Sequence, residues 1–290
     1  MPELCNLVSF NLVTVRDLGA ALPPWAGWVS AVLWGLIIGS FATVAVERWP
    51  AIIEGRMAAS ALWFPGSRCP PCGRPLGPVQ RLPLVGWLVL KGRCRCGKAP
   101  IPLRYPLLEI GGGLVMGAMV AMAPGPLDHT LLMSVVAAFL YLAAVVDARS
   151  GYLPDALTLG LLWLGLLAAA FAPCGVLAIG AAEAVLGAGV GFLLMAAVAG
   201  AGRLVLGREA LARGDWKLVA AIGAWGGIEA VTLAILFGAL AALALSPWLR
   251  RFHVAEADVG HAAGIPLGPG LALAALPIIV LGLTPGQMFN

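Results

Sequence analysis

Long apolar runs separated by short polar turns constrain this chain more than any other feature. The hydrocarbon core of a bilayer is about 30 Å thick, so about 17–25 apolar residues can cross it as a helix. A shorter glycine-rich run at 217–228 predicts either a further crossing or a re-entrant half-helix. The other predicted spans are residues 25–47, 105–123, 130–147, 156–172, 176–201, 229–249 and 264–285. The predicted fold class is therefore an all-α polytopic membrane protein with about eight transmembrane helices.

The composition supports this fold class and predicts where the chain leaves the lipid. The chain is 61% hydrophobic and only 11% charged, whereas soluble domains are about a quarter charged. Ten of its 18 Lys and Arg residues lie between Arg48 and Arg104, as expected of a cytoplasmic loop. We expect no nucleic-acid partner. The predicted domains are a short outside tail (1–24), a first transmembrane helix (25–47), a cytoplasmic cysteine-rich domain (48–104) and a transmembrane domain (105–290).

Charge in the later loops predicts that Asp147 and Asp215 lie at the same, cytoplasmic face. Arginine occurs in the turns at 148–155, 202–216 and 250–263, whereas 124–129 and 173–175 contain neither Lys nor Arg. This alternation requires that the run at 217–228 crosses the membrane. Carboxylates at the edge of a bilayer are energetically unfavourable, so they usually mark a functional site.

Two neighbouring aspartates can hydrolyse a peptide bond. One carboxylate activates a water molecule while the other protonates the carbonyl oxygen, and the pair shares one proton between them. Such a pair titrates as a unit, so we assign no separate acid and base. Gly214, beside Asp215, is expected to let a substrate backbone approach closely. In the alternative interpretation, each aspartate caps a helix or pairs with Arg149 or Lys217.

Five ordered sequence blocks resemble the type IV prepilin peptidases, which are aspartyl proteases of the G-x-G-D class. The blocks are Gly39-Ser40-Phe41 through Arg48-Trp49-Pro50, Arg104-Tyr105-Pro106-Leu107-Leu108-Glu109, Asp147 with Leu153-Pro154-Asp155-Ala156-Leu157-Thr158, Gly214-Asp215-Trp216-Lys217-Leu218 with Gly223-Ala224-Trp225, and Ile265-Pro266-Leu267-Gly268-Pro269. Ala212 replaces the first glycine of G-x-G-D, and Thr43 stands where the family usually has Asn.

The resemblance implies an enzyme of the bacterial inner membrane that cleaves the leaders of prepilins or pseudopilins at the cytoplasmic face. These substrates serve type IV pili or type II secretion. Asp147 and Asp215 match the catalytic pair, and Asp155, Lys217 and Glu109 match substrate-binding or supporting positions. Glu109 is expected to pair with Arg104 or to have another supporting polar role. The family often also methylates the new N-terminus with S-adenosylmethionine.

Four cysteines in the predicted cytoplasmic domain have the spacing of a metal site. Cys69 and Cys72 form a C-x-x-C knuckle, and Cys94 and Cys96 form a tighter C-x-C. Four thiolates can complete a tetrahedral structural zinc site, which would make this insertion zinc-ribbon-like. Disulfide or redox pairs and unliganded thiols are the alternatives, and a reducing cytoplasm disfavours disulfides.

A different class of function is an ion-coupled membrane transporter that uses intramembrane carboxylates. That function needs carboxylates near the middle of the bilayer and repeat symmetry between the two halves of the chain. The sequence predicts both aspartates at one face and shows no such symmetry. A third possibility, an inactive protease-like scaffold, is disfavoured because both aspartates are present.

Overall fold

The computed structural model describes residues 23–64, 66–69, 72–94, 100–122, 127–171, 179–207, 211–252 and 266–283. These residues are almost entirely helical, and the only β-structure among them is two isolated bridges. The α-helices are α1 (Pro24–Ile53), α2 (Val85–Val89), α3 (Arg104–Met122), α4 (Leu127–Ser150), α5 (Asp155–Phe171), α6 (Ala181–Leu206), α7 (Arg213–Phe252) and α8 (Gly268–Leu281), with 3-10 turns at Ala59–Leu62 and Val79–Arg81. The predicted all-α fold class is confirmed.

Five of the described helices are long and apolar enough to cross a membrane, namely α1, α3, α4, α6 and α7. Helices α5 and α8 are apolar but shorter, with 17 and 14 residues. An α-helix rises about 1.5 Å per residue, so these two extend for less than the full hydrocarbon thickness. The multi-pass architecture is therefore established, and the count of eight crossings stays a prediction.

Helix α7 is interrupted at Gly227, where the backbone has φ 69° and ψ −165°. Only glycine adopts this conformation without strain, because a Cβ atom would clash with the backbone. The break divides α7 into residues 213–226 and 228–252. The sequence placed the boundary between its two predicted segments within two residues of this glycine.

Helix α6 lies further along the chain than predicted. The expected span was 176–201, whereas the helix runs from Ala181 to Leu206. Its start is marked by Glu183, whose side chain accepts a 3.4 Å hydrogen bond from the Gly180 amide. Its end is marked by Gly207 in the left-handed conformation. Hydropathy placed the end too early because Arg203 belongs to the last turn, where a long cationic side chain can reach polar surroundings.

The chain divides at Val120 into two compact units. The N-terminal unit is Pro24–Val120, and the C-terminal unit contains the described residues from Ala121 onward. In the C-terminal unit, α7 contacts each of the helices α4, α5, α6 and α8. A Cβ atom at Gly223 would lie 2.3 Å from the Gly187 carbonyl oxygen, so α6 and α7 touch backbone to backbone. Close contacts of this kind are typical of helices packed in lipid.

In the N-terminal unit, α1 and α3 pack equally closely. A Cβ atom at Gly35 would lie 2.3 Å from the Gly112 carbonyl oxygen. The segment between these two helices contains the 3-10 turns, α2 and two cysteine-bearing turns. Helix α1 continues to Ile53, six residues beyond its predicted end, and includes Pro50 in its last turn. The region outside the long helices is therefore shorter than the predicted 48–104.

Candidate active site

Asp147 lies in the last turn of α4 and is only 4% exposed. The backbone amide of Gly268 donates a 2.9 Å hydrogen bond to its Oδ2 atom. Gly268 is the first residue of α8, so the partially positive end of that helix faces the carboxylate. A negative charge at the C-terminal end of α4 would otherwise be unfavourable, because the partial charge there is also negative. The N-terminus of α8 therefore compensates for the position of Asp147.

Asp215 is the third residue of α7 and is 5% exposed. Its amide donates a 3.1 Å hydrogen bond to the Ala212 carbonyl, and its carboxylate is hydrogen-bonded by the Ala212 backbone amide. A side chain at the third helical position that reaches back to the cap residue is half of a capping box. Asp215, like Asp147, is therefore held at the N-terminus of a helix.

The structure brings the two aspartates together. Helices α4 and α7 are in contact, and the Asp147 and Asp215 carboxylates are close enough to interact electrostatically. Each also has the local capping role that the alternative interpretation requires. Capping does not require burial of two like charges beside each other, however, and such an arrangement is unfavourable unless a proton is shared. The catalytic pairing of Asp147 and Asp215 therefore stays a prediction, which the contact between α4 and α7 supports.

Lys217 interacts with Asp155 rather than with either buried aspartate. Its Nζ atom lies 2.5 Å from Asp155 Oδ1, and this ion pair joins α7 to the first residue of α5. Both side chains are partly exposed, so the contact contributes about 0–1 kcal/mol to stability. The ion pair therefore links the start of α7, which carries Asp215, to the start of α5.

The structure gives a different reason for Gly214 than the one predicted. A Cβ atom at Gly214 would lie 2.6 Å from the Cβ of Leu153, in the turn that follows α4. This glycine therefore makes room for a neighbouring segment of the protein itself, and its predicted role toward a substrate backbone stays a prediction. By this contact, the turn after Asp147 is packed directly against the turn that contains Asp215.

Gly268 was not among the site residues predicted from the sequence, although it belongs to a recognised block. A Cβ atom at this position would lie 2.7 Å from Asp147 Oδ2, so a larger residue would displace the carboxylate. Gly268 contributes its backbone amide, and nearly every residue type has one, so the residue type alone does not predict this role. The available signal was a glycine between two prolines at the start of an apolar run, Pro266-Leu267-Gly268-Pro269.

Glu109 belongs to the N-terminal unit, where its carboxylate accepts a 2.8 Å hydrogen bond from the Leu84 amide. The predicted pairing of Glu109 with Arg104 is wrong. Arg104 Nη2 lies 3.2 Å from Glu47 Oε1 instead. The physical reason is helical geometry, because residues five apart project from different sides of a helix.

Three of the four predicted metal ligands form a cluster. The Sγ atoms of Cys69, Cys72 and Cys94 all lie within 4.8 Å of one another. A bridge between residues 68 and 75 closes the turn that contains Cys69 and Cys72, and a second bridge joins residue 93, next to Cys94, to residue 100. No disulfide joins these three described cysteines. Cys96 lies outside the described residues, and the three clustered thiols are a donor set that suits a metal ion.

Comparison with known proteins identifies a matching family for each of the two units. Residues 33–123 match the Bacterial Peptidase A24 N-terminal domain, and residues 134–246 match the Type IV leader peptidase family. A prepilin leader peptidase/N-methyltransferase from Klebsiella pneumoniae is 42% identical over 238 residues, covering 80% of this chain and 99% of the relative. This chain belongs to the type IV leader peptidase family.

Other family members agree over most of their length. Proteins of the same name from Pseudomonas aeruginosa and Burkholderia pseudomallei strain K96243 are 36% and 32% identical, covering 87% and 91% of this chain and 89% and 88% of the relatives. No solved structure matches the chain. The transporter alternative gains no support, because Asp147 and Asp215 both lie in terminal turns of their helices.

Proposed function

We propose that this protein is a membrane aspartyl endopeptidase that removes the leader peptides of type IV prepilins or pseudopilins. The observation that supports this most directly is the buried pair of Asp147 and Asp215, which lies on two helices within the matched peptidase region. The proposed location is the bacterial inner membrane, with the aspartates at the cytoplasmic face.

In the proposed reaction, the two carboxylates hold one proton. The ionised carboxylate takes a proton from a water molecule, whose oxygen attacks the scissile carbonyl carbon as the protonated carboxyl group donates to the carbonyl oxygen. The tetrahedral intermediate then collapses and the C–N bond breaks, while the leaving amine takes the proton that the carboxylate had received from water. One hydroxyl of the intermediate returns its proton to the other carboxylate, so the pair again holds one proton. With one proton shared, the two carboxylates carry one negative charge, and the backbone amides of Gly268 and Ala212 stabilise it. We assign no fixed acid or base within the pair.

The membrane location follows from the chemistry of such substrates. A prepilin presents a basic leader followed by a long apolar helix. The apolar helix can stay in the lipid while the junction between leader and helix reaches Asp147 and Asp215 at helix ends. The ion pair between Asp155 and Lys217 supports this arrangement by joining α5 to α7 beside Asp215.

The relatives are named for a second activity, and we propose that this protein also methylates the new N-terminus. S-adenosylmethionine would supply the methyl group. The amine of the new N-terminus would accept that methyl group and release one proton, and S-adenosylhomocysteine would be the by-product.

The cysteine cluster is proposed to hold a structural zinc ion. Cys69, Cys72 and Cys94 supply three thiolates, and Cys96 is the proposed fourth ligand. Four protein ligands leave no open coordination position, so the metal would stabilise the turns of this segment and take no part in hydrolysis. Sparse secondary structure between α1 and α3 makes such a contribution useful to folding.

The peptidase proposal is tested with single aspartate variants in reconstituted lipid. Asp147→Asn and Asp215→Asn should each abolish leader removal from a purified prepilin, read as product mass, because a neutral amide cannot share the proton. Asp128→Asn is the matched control, because Asp128 is also buried in α4 but lies about 28 Å away at the other end of the helix. Normal cleavage by either of the first two variants would reject the assignment.

A further inference from the structure

The face of α7 that packs on α6 changes character as it approaches Asp215. A Cβ atom at Gly191 of α6 would lie 3.0 Å from the Val219 carbonyl oxygen, so the two backbones nearly touch there. Trp216 lies three residues before Val219 and therefore on the same face of α7. At this level two rings join the helices, because the Trp216 ring meets the Phe192 ring edge to face with centroids 6.0 Å apart. Side chains, which can change rotamer, thus fill the contact between α6 and α7 beside the buried aspartate.

Phe192 is the outer member of this aromatic pair. It is 40% exposed, and its neighbours Leu193 and Leu194 on α6 are also apolar and exposed. On a helix long enough to cross a membrane, such a face lies against lipid. Trp216 lies behind Phe192 and is next to Asp215 in the chain. The ring pair therefore separates the lipid from the aspartate on this side of α7.

The Trp216 indole has a donor that the described part of the chain does not satisfy. Its Nε1 atom is buried, and no described residue accepts a hydrogen bond from it. Buried polar groups nearly always have a partner, because an unpaired donor away from water is unfavourable. The Phe192 ring supplies at most a weak contact of this kind. Trp225, further along α7, has the ordinary arrangement, since its Nε1 donates a 2.9 Å hydrogen bond to the Leu161 carbonyl.

A peptide bound across Asp147 and Asp215 would have the complementary need. Its scissile carbonyl must be accessible to water and to a carboxyl group, so the backbone around that bond is extended and not helical. Each residue of an extended segment has a carbonyl oxygen that no helical hydrogen bond satisfies, and at the edge of a bilayer such oxygens need donors from the protein. The Gly268 amide and the Lys217 ammonium already bond Asp147 and Asp155.

We propose that Trp216 Nε1 donates a hydrogen bond to a backbone carbonyl of the substrate beside its scissile bond, after Phe192 turns aside. The proposal rests on the peptidase activity proposed above and names a residue that holds the substrate there. The apolar segment of the substrate would arrive from the lipid along α6, and its extended residues would replace the Phe192 ring against Trp216. Every peptide has such a carbonyl, so Trp216 contributes to the position of the substrate and not to the choice of its sequence.

The test measures leader cleavage and thermal unfolding of the full-length protein in lipid nanodiscs, with a purified prepilin as substrate. Trp216→Phe keeps an aromatic ring beside Phe192 and removes the N–H group. Its kcat/KM should fall by about five-fold, which corresponds to the loss of one hydrogen bond to a neutral acceptor. Its unfolding midpoint should fall by less than that of the control, because the free protein loses no hydrogen bond.

The matched control is Trp225→Phe, which removes the same atoms from the same helix but breaks the bond to the Leu161 carbonyl. Its unfolding midpoint should fall by about 2 °C or more, and its kcat/KM should stay within about two-fold of the wild type. Cleavage by Trp216→Phe within about two-fold of the wild type would overturn the proposal and leave the peptidase assignment standing. A midpoint that falls as far as that of the control would also overturn it, by showing a structural role. Wild-type protein that removes no leader would overturn the peptidase assignment itself.

A second measurement observes the bound substrate without turnover. The Asp147→Asn protein is prepared with isotope-labelled tryptophan, and the indole N–H signal of Trp216 is identified by its loss when Trp216→Phe is added. This signal should move downfield in the magnetic resonance spectrum when prepilin binds, because a new hydrogen bond forms. The Trp225 signal should not move, since its hydrogen bond is already made. A Trp216 signal that stays in place at saturating prepilin would contradict the proposal.

Discussion

The two units hold their buried carboxylates by different means. In the C-terminal unit, Asp147 and Asp215 project from long helices and are hydrogen-bonded by backbone amides at helix N-termini. In the N-terminal unit, Glu109 is hydrogen-bonded by a loop amide, that of Leu84. Leu84 has φ 58° and ψ −44°, and the Val85 amide bonds across it to the Pro83 carbonyl, which makes a tight and strained turn.

The comparison shows two ways of placing an acidic group. Helix ends provide amides in a fixed direction at no cost in backbone strain, which suits a pair that must hold a set separation during hydrolysis. A strained turn is maintained only by the contacts around it, so the Glu109 bond ties the loop segment to α3. The C-terminal site is therefore held in place by secondary structure, and the Glu109 carboxylate by a tertiary contact with a segment of little regular structure.

The largest expected effect tests the helix-end arrangement. Gly268→Ala places a Cβ atom 2.7 Å from Asp147 Oδ2, so the carboxylate must shift away from the helix N-terminus. Leader cleavage should fall by about 10²-fold, the usual consequence of displacing a reacting group by about 1 Å. Single-turnover cleavage in lipid measures it.

The matched control for that change is Gly189→Ala on α6, where an added Cβ atom would meet nothing within 4 Å. This variant should cleave normally. Cleavage by Gly268→Ala at the rate of the control would show that the amide of α8 does not position Asp147, and the contrast between the units would then fail.

Removal of the metal tests the N-terminal unit. A chelator, or Cys94→Ser, should make the amides of residues 66–94 exchange with solvent at least about ten-fold faster, because structural zinc contributes on the order of 10 kcal/mol to folding in small domains. Hydrogen–deuterium exchange should show no change across α4–α8. Elemental analysis gives the zinc content of each sample. Unchanged exchange in residues 66–94 after complete zinc removal would contradict a structural metal.

The smallest expected effect concerns the ion pair between Lys217 and Asp155. Because both side chains are partly exposed, a double-mutant cycle with Lys217→Ala and Asp155→Asn should give a coupling of about 0.2–1 kcal/mol in the free energy of unfolding. The coupling should decrease as salt is added. A coupling of several kcal/mol, insensitive to salt, would contradict this expectation and would show that the pair is shielded from solvent.

Much of the architecture could be predicted because hydropathy is a local property. Apolar runs located the long helices, and the break in α7 fell at a glycine pair that the sequence displays. The positions of Asp147 and Asp215 at the ends of apolar runs predicted that they would meet. The clustering of Cys69, Cys72 and Cys94 followed from their spacing and is confirmed.

The contacts that could not be predicted are those made by backbone groups. The amides of Gly268, Ala212 and Leu84 each bond a carboxylate, and an amide is present at nearly every residue. The predicted partner of Arg104 was wrong for a related reason, since charge alone does not reveal which side of a helix a residue occupies. The span of α6 was predicted to end too early, because the low hydropathy of Arg203 was taken as the end of the helix although this residue belongs to its last turn.

The interruption of α7 at Gly227 affects the depth of the peptidase site. The half of α7 that carries Asp215, residues 213–226, is about 21 Å long, which is about two thirds of the hydrocarbon thickness. As a separate membrane crossing, which stays a prediction, this segment would either thin the surrounding bilayer or draw its charged end below the headgroups. In both cases the water consumed in hydrolysis would travel a shorter path through lipid, and a scissile bond at the start of an apolar helix could meet the aspartates without leaving the membrane interface.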